Sequence, residues 1–131
     1  MTETVAVTPT KTSWCSSKIN ELYWIQGWGE QYFDVNEKGH IIVRPDRNGK
    51  SIDLYELVQS LVQRGIEPPI LFRFDGIIKD RIRRLCSSFE AAITEFNYEN
   101  HYRPVFPIKV NQQRHVVDVI RAAGKHDLLG L

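Results

Sequence analysis

The scarcities of this 131-residue chain narrow its function before any motif does. It has only two cysteines, Cys15 and Cys86, far apart in sequence. They form no metal-type spacing and suggest no disulfide scaffold, so they read as two reduced thiols in a cytosolic chain. Net charge is scarce too, at +1, so no large field draws nucleic acid or an anionic membrane. Apolar runs are short, and none approaches the length of a membrane span. The opening "MTETVAVTPTKTS" lacks a basic stretch followed by an apolar core, so it does not read as a secretory signal. No glycine-rich dinucleotide fingerprint occurs. The histidines His40, His101, His115 and His126 show no ligand spacing with one another or with cysteine. Each reads as a surface or loop residue. No Ser-His-Asp arrangement can be placed from chain order alone.

What remains is an ordinary globular composition, 42% hydrophobic and 25% charged, of a length that suits one small domain. Three segments follow from the pattern. Residues 1–17 are rich in Thr and Ser without a hydrophobic period, the mark of a disordered tail. Residues 18–50 hold an aromatic-rich hairpin segment. There "QYFDV" and "HIIVR" are β-rich runs separated by "NEKG". Tyr23, Trp24 and Trp28 precede the hairpin and are expected to pack on its face. The loop "RNGKSID", residues 47–53, leads into residues 51–131, where Ser51 or Asp53 caps a helix. Asp53 and Glu56 have capping-box spacing. Leu54, Leu57, Val58, Leu61 and Val62 recur at helical spacing, and Gly65 closes the element. "IEPP" is a breaker.

A strand, "ILFRF", then leads into a long helix. Ile78, Ile82, Leu85, Phe89, Ile93 and Phe96 form one apolar stripe. Lys79, Arg81, Arg83 and Arg84 fall mostly off it and read as a solvated face rather than a phosphate-binding patch. A second strand, "VFPIKV", a second helix on Val116, Val117, Ile120 and Ala123, and a third strand, "HDLLGL", complete the order. Alternation of strands and helices implies a parallel sheet with crossover helices.

The stretch "RPVFPIKVNQQR" poses the sharpest question, a lysine inside an apolar strand. Side chains alternate, so Phe106, Ile108 and Val110 would share the helix-facing side. Val105, Pro107, Lys109 and Asn111 would share the other. In a closed barrel Lys109 would then point inward, near the C-terminal end of its strand, where such folds gather active-site groups. A buried ammonium loses its proton readily and becomes a nucleophile toward carbonyl compounds. Position alone also allows a strand-end lysine reaching water or pairing with an acid.

The surrounding wording adds a resemblance. "VFPIKVNQQRHVVDVI" resembles the cofactor-lysine segment of the biosynthetic arginine decarboxylases, pyridoxal-phosphate enzymes of the alanine-racemase-like barrel class. Phe106 stands where that family usually has tyrosine. "YWIQGWGEQYFDVNEKGHIIVRP" looks like the family's aromatic segment and hairpin. "LFRFDGIIKDRIRRLCSSFEAAI" looks like its first barrel strand and helix, with Asp75-Gly76 where relatives commonly have proline. The resemblance covers roughly residues 18–131. It implies an α/β fold: an N-terminal β-hairpin segment, then the first strands and helices of an incomplete (β/α)8 barrel. It also implies that Lys109 is both the catalytic and the cofactor-binding residue. Pyridoxal 5'-phosphate would be held there, with Mg2+ as a further family associate and L-arginine as the substrate converted to agmatine and carbon dioxide. This is a step of polyamine biosynthesis in the cytoplasm.

A closed barrel of this kind takes about 250 residues, and only three candidate strands are present. The family's phosphate loop, its acid for the pyridine nitrogen and its guanidinium-selecting groups have no counterpart here. The expectation is a portion of the enzyme, inactive alone, completed by the remainder of the enzyme or by homo-oligomerisation. A non-catalytic interaction module or the product of a truncated gene is the alternative, docking on a partner chain through Trp24, Trp28 and Tyr32.

Overall fold

A computed structural model describes residues 15–124. The expected strand at "HDLLGL", most of the expected tail, and His126 lie outside the described residues. Two short helices come first, α1 (Ser16–Leu22) and α2 (Ile25–Gly29). The strands β1 (Phe33–Val35), β2 (Ile41–Val43) and β3 (Ile52–Asp53) follow. The helices α3 (Leu54–Gln63), α4 (Asp75–Glu95) and α5 (Arg114–Ala123) complete the order. α1 begins at Ser16, inside the last residues of the expected tail.

The hairpin forms where the sequence placed it. β1 and β2 pair antiparallel with Phe33 opposite Val43 and Val35 opposite Ile41. Asn36 shapes the turn, its side-chain oxygen accepting from the backbone N–H of Lys38 and of His40, both at 3.0 Å. This is the local bonding that suits asparagine to turns. Gly39 supplies the left-handed conformation the return requires, at φ 83°. β3 adds a third antiparallel strand on the far side of β2, with Ile52 opposite Val43. Two residues are too few to carry a readable alternation, so β3 is not visible in the sequence. Val43 is fully buried, and Ile25, Tyr32, Val35 and Ile42 surround it in the core.

Asp53 caps α3 by accepting from the Glu56 N–H at 3.1 Å. The capping box stays half made, because Glu56 turns instead to Lys38 Nζ at 2.8 Å. Beyond α3 the "IEPP" breaker carries a cis Pro68–Pro69 peptide. Trp28 packs on Phe33 with ring centroids 5.2 Å apart. Trp24 remains 70% exposed and Tyr23 64%, so the aromatic segment covers the hairpin only through Trp28.

In the second half the helices appear as expected and the strands do not. Residues 70–74 take no regular structure and pair with no strand among the described residues, and residues 105–110 hold a single bridge at Val105 followed by a 3-10 turn at Ile108–Val110. A strand is made by its neighbour's backbone, and Pro107 removes a donor from the second segment, just after Pro104 has removed the one before it. The described sheet is therefore antiparallel and confined to the hairpin block. The parallel arrangement expected of a barrel start is not formed by these residues.

α4 and α5 pack against each other around Val116 and Ile120. Gly76, in the first turn of α4, lies against the Pro45–Asp46 loop. A Cβ there would come within 2.8 Å of Pro45 Cβ, so the departure from proline noted above has a packing role. No helix among the described residues is long and apolar enough to cross a membrane.

Candidate functional site

The segment bearing Lys109 starts from buried Pro104 and runs over the α4–α5 pair. Val105 and Phe106 join Ile78, Ile82, Val116 and Ile120 in an apolar groove of about 370 Å³. At Pro107 the chain turns. Val110 N–H donates to the Pro107 carbonyl and Asn111 N–H to the Ile108 carbonyl, each at 3.0 Å. A three-residue turn abolishes the two-residue alternation of a strand. Ile108 and Val110, expected beside Phe106 under the helices, are instead 38% and 74% exposed. Lys109 is exposed as well, not directed into an interior. Enclosing it would take neighbouring strands, and no strand is paired with this segment among the described residues. Asn111 lines the groove with Phe106, and its side chain accepts from Gln113 N–H at 3.2 Å.

The arrangement therefore offers a reachable primary amine at the edge of an apolar groove. Among the described residues it offers no nest of amides for a phosphate and no acid placed for a pyridine nitrogen beside that amine. Pyridoxal phosphate fits the described residues only through its aldehyde. His115, in the first turn of α5, is exposed, as is His101.

Two clusters that the sequence did not announce hold the chain together elsewhere. In the first, buried Asp80 of α4 accepts from the Tyr32 hydroxyl at 2.6 Å. Arg83 donates to its other oxygen at 3.2 Å, and Arg47 stands 3.8 Å away with its guanidinium over the Tyr32 ring. Glu30 receives both Arg81 and Arg84. The helix arginines read as a solvated face are thus in large part a dock for the aromatic segment. Tyr32, read as a partner anchor, is 4% exposed and belongs to the core. The sequence signal would have been an acid flanked by three arginines on a helix that otherwise needs none.

The second cluster joins His40, Asp53 and Glu56, whose ligand-type atoms lie within 4.8 Å of one another. Its acids are already engaged. His40 Nδ1 lies 2.9 Å from Asp53, Asn36 donates to the same oxygen at 2.8 Å, and Lys38 takes Glu56. Burial works to raise the Asp53 carboxyl, but the Glu56 N–H, His40 and Asn36 outweigh it and hold it below the usual carboxylate range. The cluster is a cap and turn lock with metal-capable atoms. Cys86 is buried in α4. The Cys15 thiol is lowered by its hydrogen bond with Ser17.

Against known proteins the chain finds close relatives. It is 50% identical to a biosynthetic arginine decarboxylase of Thermosynechococcus vestitus over 97% of its own length and 20% of the relative's. A biosynthetic arginine decarboxylase of Gloeobacter violaceus is 47% identical over 90% of the chain and 18% of that protein. One from Chromobacterium violaceum is 48% identical over 84% and 18%. No family model matches. The chain spans about a fifth of the length of the curated relatives it matches.

Proposed function

We propose, from its kinship with a fifth of the biosynthetic arginine decarboxylases, that this chain is the N-terminal, lysine-bearing portion of such an enzyme. The supporting observation is the identity of about half over nearly the whole chain, together with the "PIKVNQ" wording around Lys109. In this reading the complete enzyme acts on L-arginine in the cytoplasm, releasing carbon dioxide and agmatine. Pyridoxal phosphate, when bound, supplies the electron sink for that loss, and Mg2+ is a further associate of the family. Lys109 contributes the amine that attaches the cofactor. The groove residues Ile82, Val105 and Phe106 carry the apolar surface on which the remaining barrel elements close. Asp80, Tyr32 and Arg47 fix the aromatic segment to the helix that begins this barrel.

Alone, the chain presents the amine to water and lacks a phosphate cradle among its described residues. It is therefore inactive by itself. Purified chain is mixed with pyridoxal phosphate and reduced with borohydride, and the adduct is mapped by mass spectrometry. Labelling concentrated on Lys109, and absent in Lys109→Ala, supports the reading. Labelling spread over Lys38, Lys50 and Lys79, or none, removes it. Sustained agmatine production from arginine by the chain alone would overturn the claim of inactivity.

An interaction module is the second reading. It is favoured by a patch of Leu22, Tyr23 and Trp24, which are 73%, 64% and 70% exposed. Tyr32 no longer belongs to it.

A further inference from the structure

A polar cavity of about 570 Å³ opens beside β1 and shares no lining residue with the apolar groove. Its walls carry Arg44, Arg47, Asp34, Gln26 and Gln31, with the Phe33 ring among them. That size suits a small metabolite.

The two guanidiniums are underused by the protein. Each has five N–H donors. Arg44 gives one hydrogen bond, to Asp34 at 3.1 Å. Arg47 hydrogen-bonds Gln31 and stands only in ionic contact with Asp80 at 3.8 Å. Arg47 Nε is buried and hydrogen-bonds nothing among the described residues. Nε is closed off even from the cavity, so the donors a ligand there would meet are the outer guanidinium nitrogens. Asp34, the one acid in the wall, is already engaged by Asn20 at 2.9 Å, by its neighbour Val35 N–H at 2.8 Å and by Arg44. Within the wall Arg44 is matched by Asp34, while Arg47 is matched only at 3.8 Å by Asp80, which lies outside the wall and is shared with Arg83.

The backbone adds to this. Gln31 and Arg47, hydrogen-bonded to each other in the cavity wall, have φ of 69° and 55°, a region non-glycine residues seldom occupy. Such strain persists where the surroundings hold it, and it clusters at ligand sites. Single ionic contacts of this kind need only a lysine. Two planar forks on one cavity match the geometry of a carboxylate or phosphate.

We propose that this cavity binds a small metabolite bearing an oxyanion, a carboxylate or a phosphate ester. Arg44 and Arg47 hold the anionic group. The Gln26 and Gln31 amides meet the polar body, and the Phe33 ring meets the apolar part. The site is separate from Lys109 and does not rest on the decarboxylase reading.

The test uses the whole chain, titrated with inorganic phosphate and with citrate at fixed ionic strength, chloride being the control. Arginine Nε–H and glutamine side-chain resonances are followed by NMR. Saturable shifts at Arg44, Arg47 and Gln31 are expected with phosphate or citrate and not with chloride. Phosphate alone assigns the ester, and citrate alone the carboxylate. Arg44→Gln should weaken binding about tenfold. Gln31→Glu, which sets a carboxylate against Arg47 and leaves the fold intact by circular dichroism, should abolish it. Arg64→Gln, at the end of α3, should change nothing. Absence of saturation with both anions overturns the proposal. So does wild-type binding by both Arg44→Gln and Gln31→Glu, or equal weakening by Arg64→Gln.

Discussion

The hairpin block and the helical block of this chain solve the same problem in opposite ways. From α1 to α3, every strand is paired, the turn is locked by Asn36, and the helix is capped by Asp53. From residue 70 onward, two segments form no ladder among the described residues, and Leu71, Val105 and Val110 are each 69% or more exposed. The first block satisfies its own backbone. The second shows apolar surface and unpaired edges of the kind that invite another strand. Strand pairing among the described residues is therefore absent around Lys109, the residue on which the functional reading depends.

The clamp between the blocks is where this comparison breaks most sharply. Asp80→Ala strips a buried carboxylate from the Tyr32 hydroxyl and from Arg47. A loss of about 3 kcal/mol is expected in urea unfolding. Tyr32→Phe should cost less, about 1 kcal/mol. If both variants unfold like wild type, the two blocks are not coupled through this contact.

Next in size is a matched pair of truncations. Val43→Ala opens the buried centre of the hairpin block and should cost about 2 kcal/mol. Val105→Ala, on an exposed groove residue, should stay within about 0.5 kcal/mol. Equal losses would mean that the groove is as well covered as the sheet.

The smallest effect is acid sensitivity confined to the hairpin block. Burial works to raise the Asp34 carboxyl, but Asn20, the Val35 N–H and Arg44 hold it below its ordinary value. A carboxylate whose folded pKa is depressed contributes stability that is complete above its unfolded value, about 4. That contribution is lost as pH falls through the folded value. Urea midpoints should therefore drop below about pH 4, and Asp34→Asn should lower the neutral-pH midpoint while flattening the acid limb. An unchanged acid limb in that variant would assign the loss to other carboxylates.

How far the sequence could be read follows the same division. The hairpin, the Asp53 cap and the stripe along α4 were legible because each is a local pattern of two, three or four residues. The strands expected at residues 70–74 and 105–110 have the composition of strands, but pairing is a property of neighbours and not of composition. The turn at Ile108–Val110 escaped because the apolar run around Pro107 has the composition of a strand, while the turn is made by two backbone hydrogen bonds that composition does not show. Asp80 escaped because a carboxylate among arginines on a helix resembles surface charge until Tyr32 is placed against it. Lys109 was found through wording it shares with a family. The fold alone leaves it an exposed amine.

Gly76 gives the clamp its tolerance. With the Pro45–Asp46 loop pressed on it, position 76 admits nothing bulkier than a hydrogen atom, so the loop and the first turn of α4 behave as a keyed joint. A wedge there would be felt first at Asp80, one turn along, and Tyr32 would lose its hold before anything near Lys109 registered the change. Variation at this one position thus offers a graded gauge of how firmly the long helix is held in register with the hairpin.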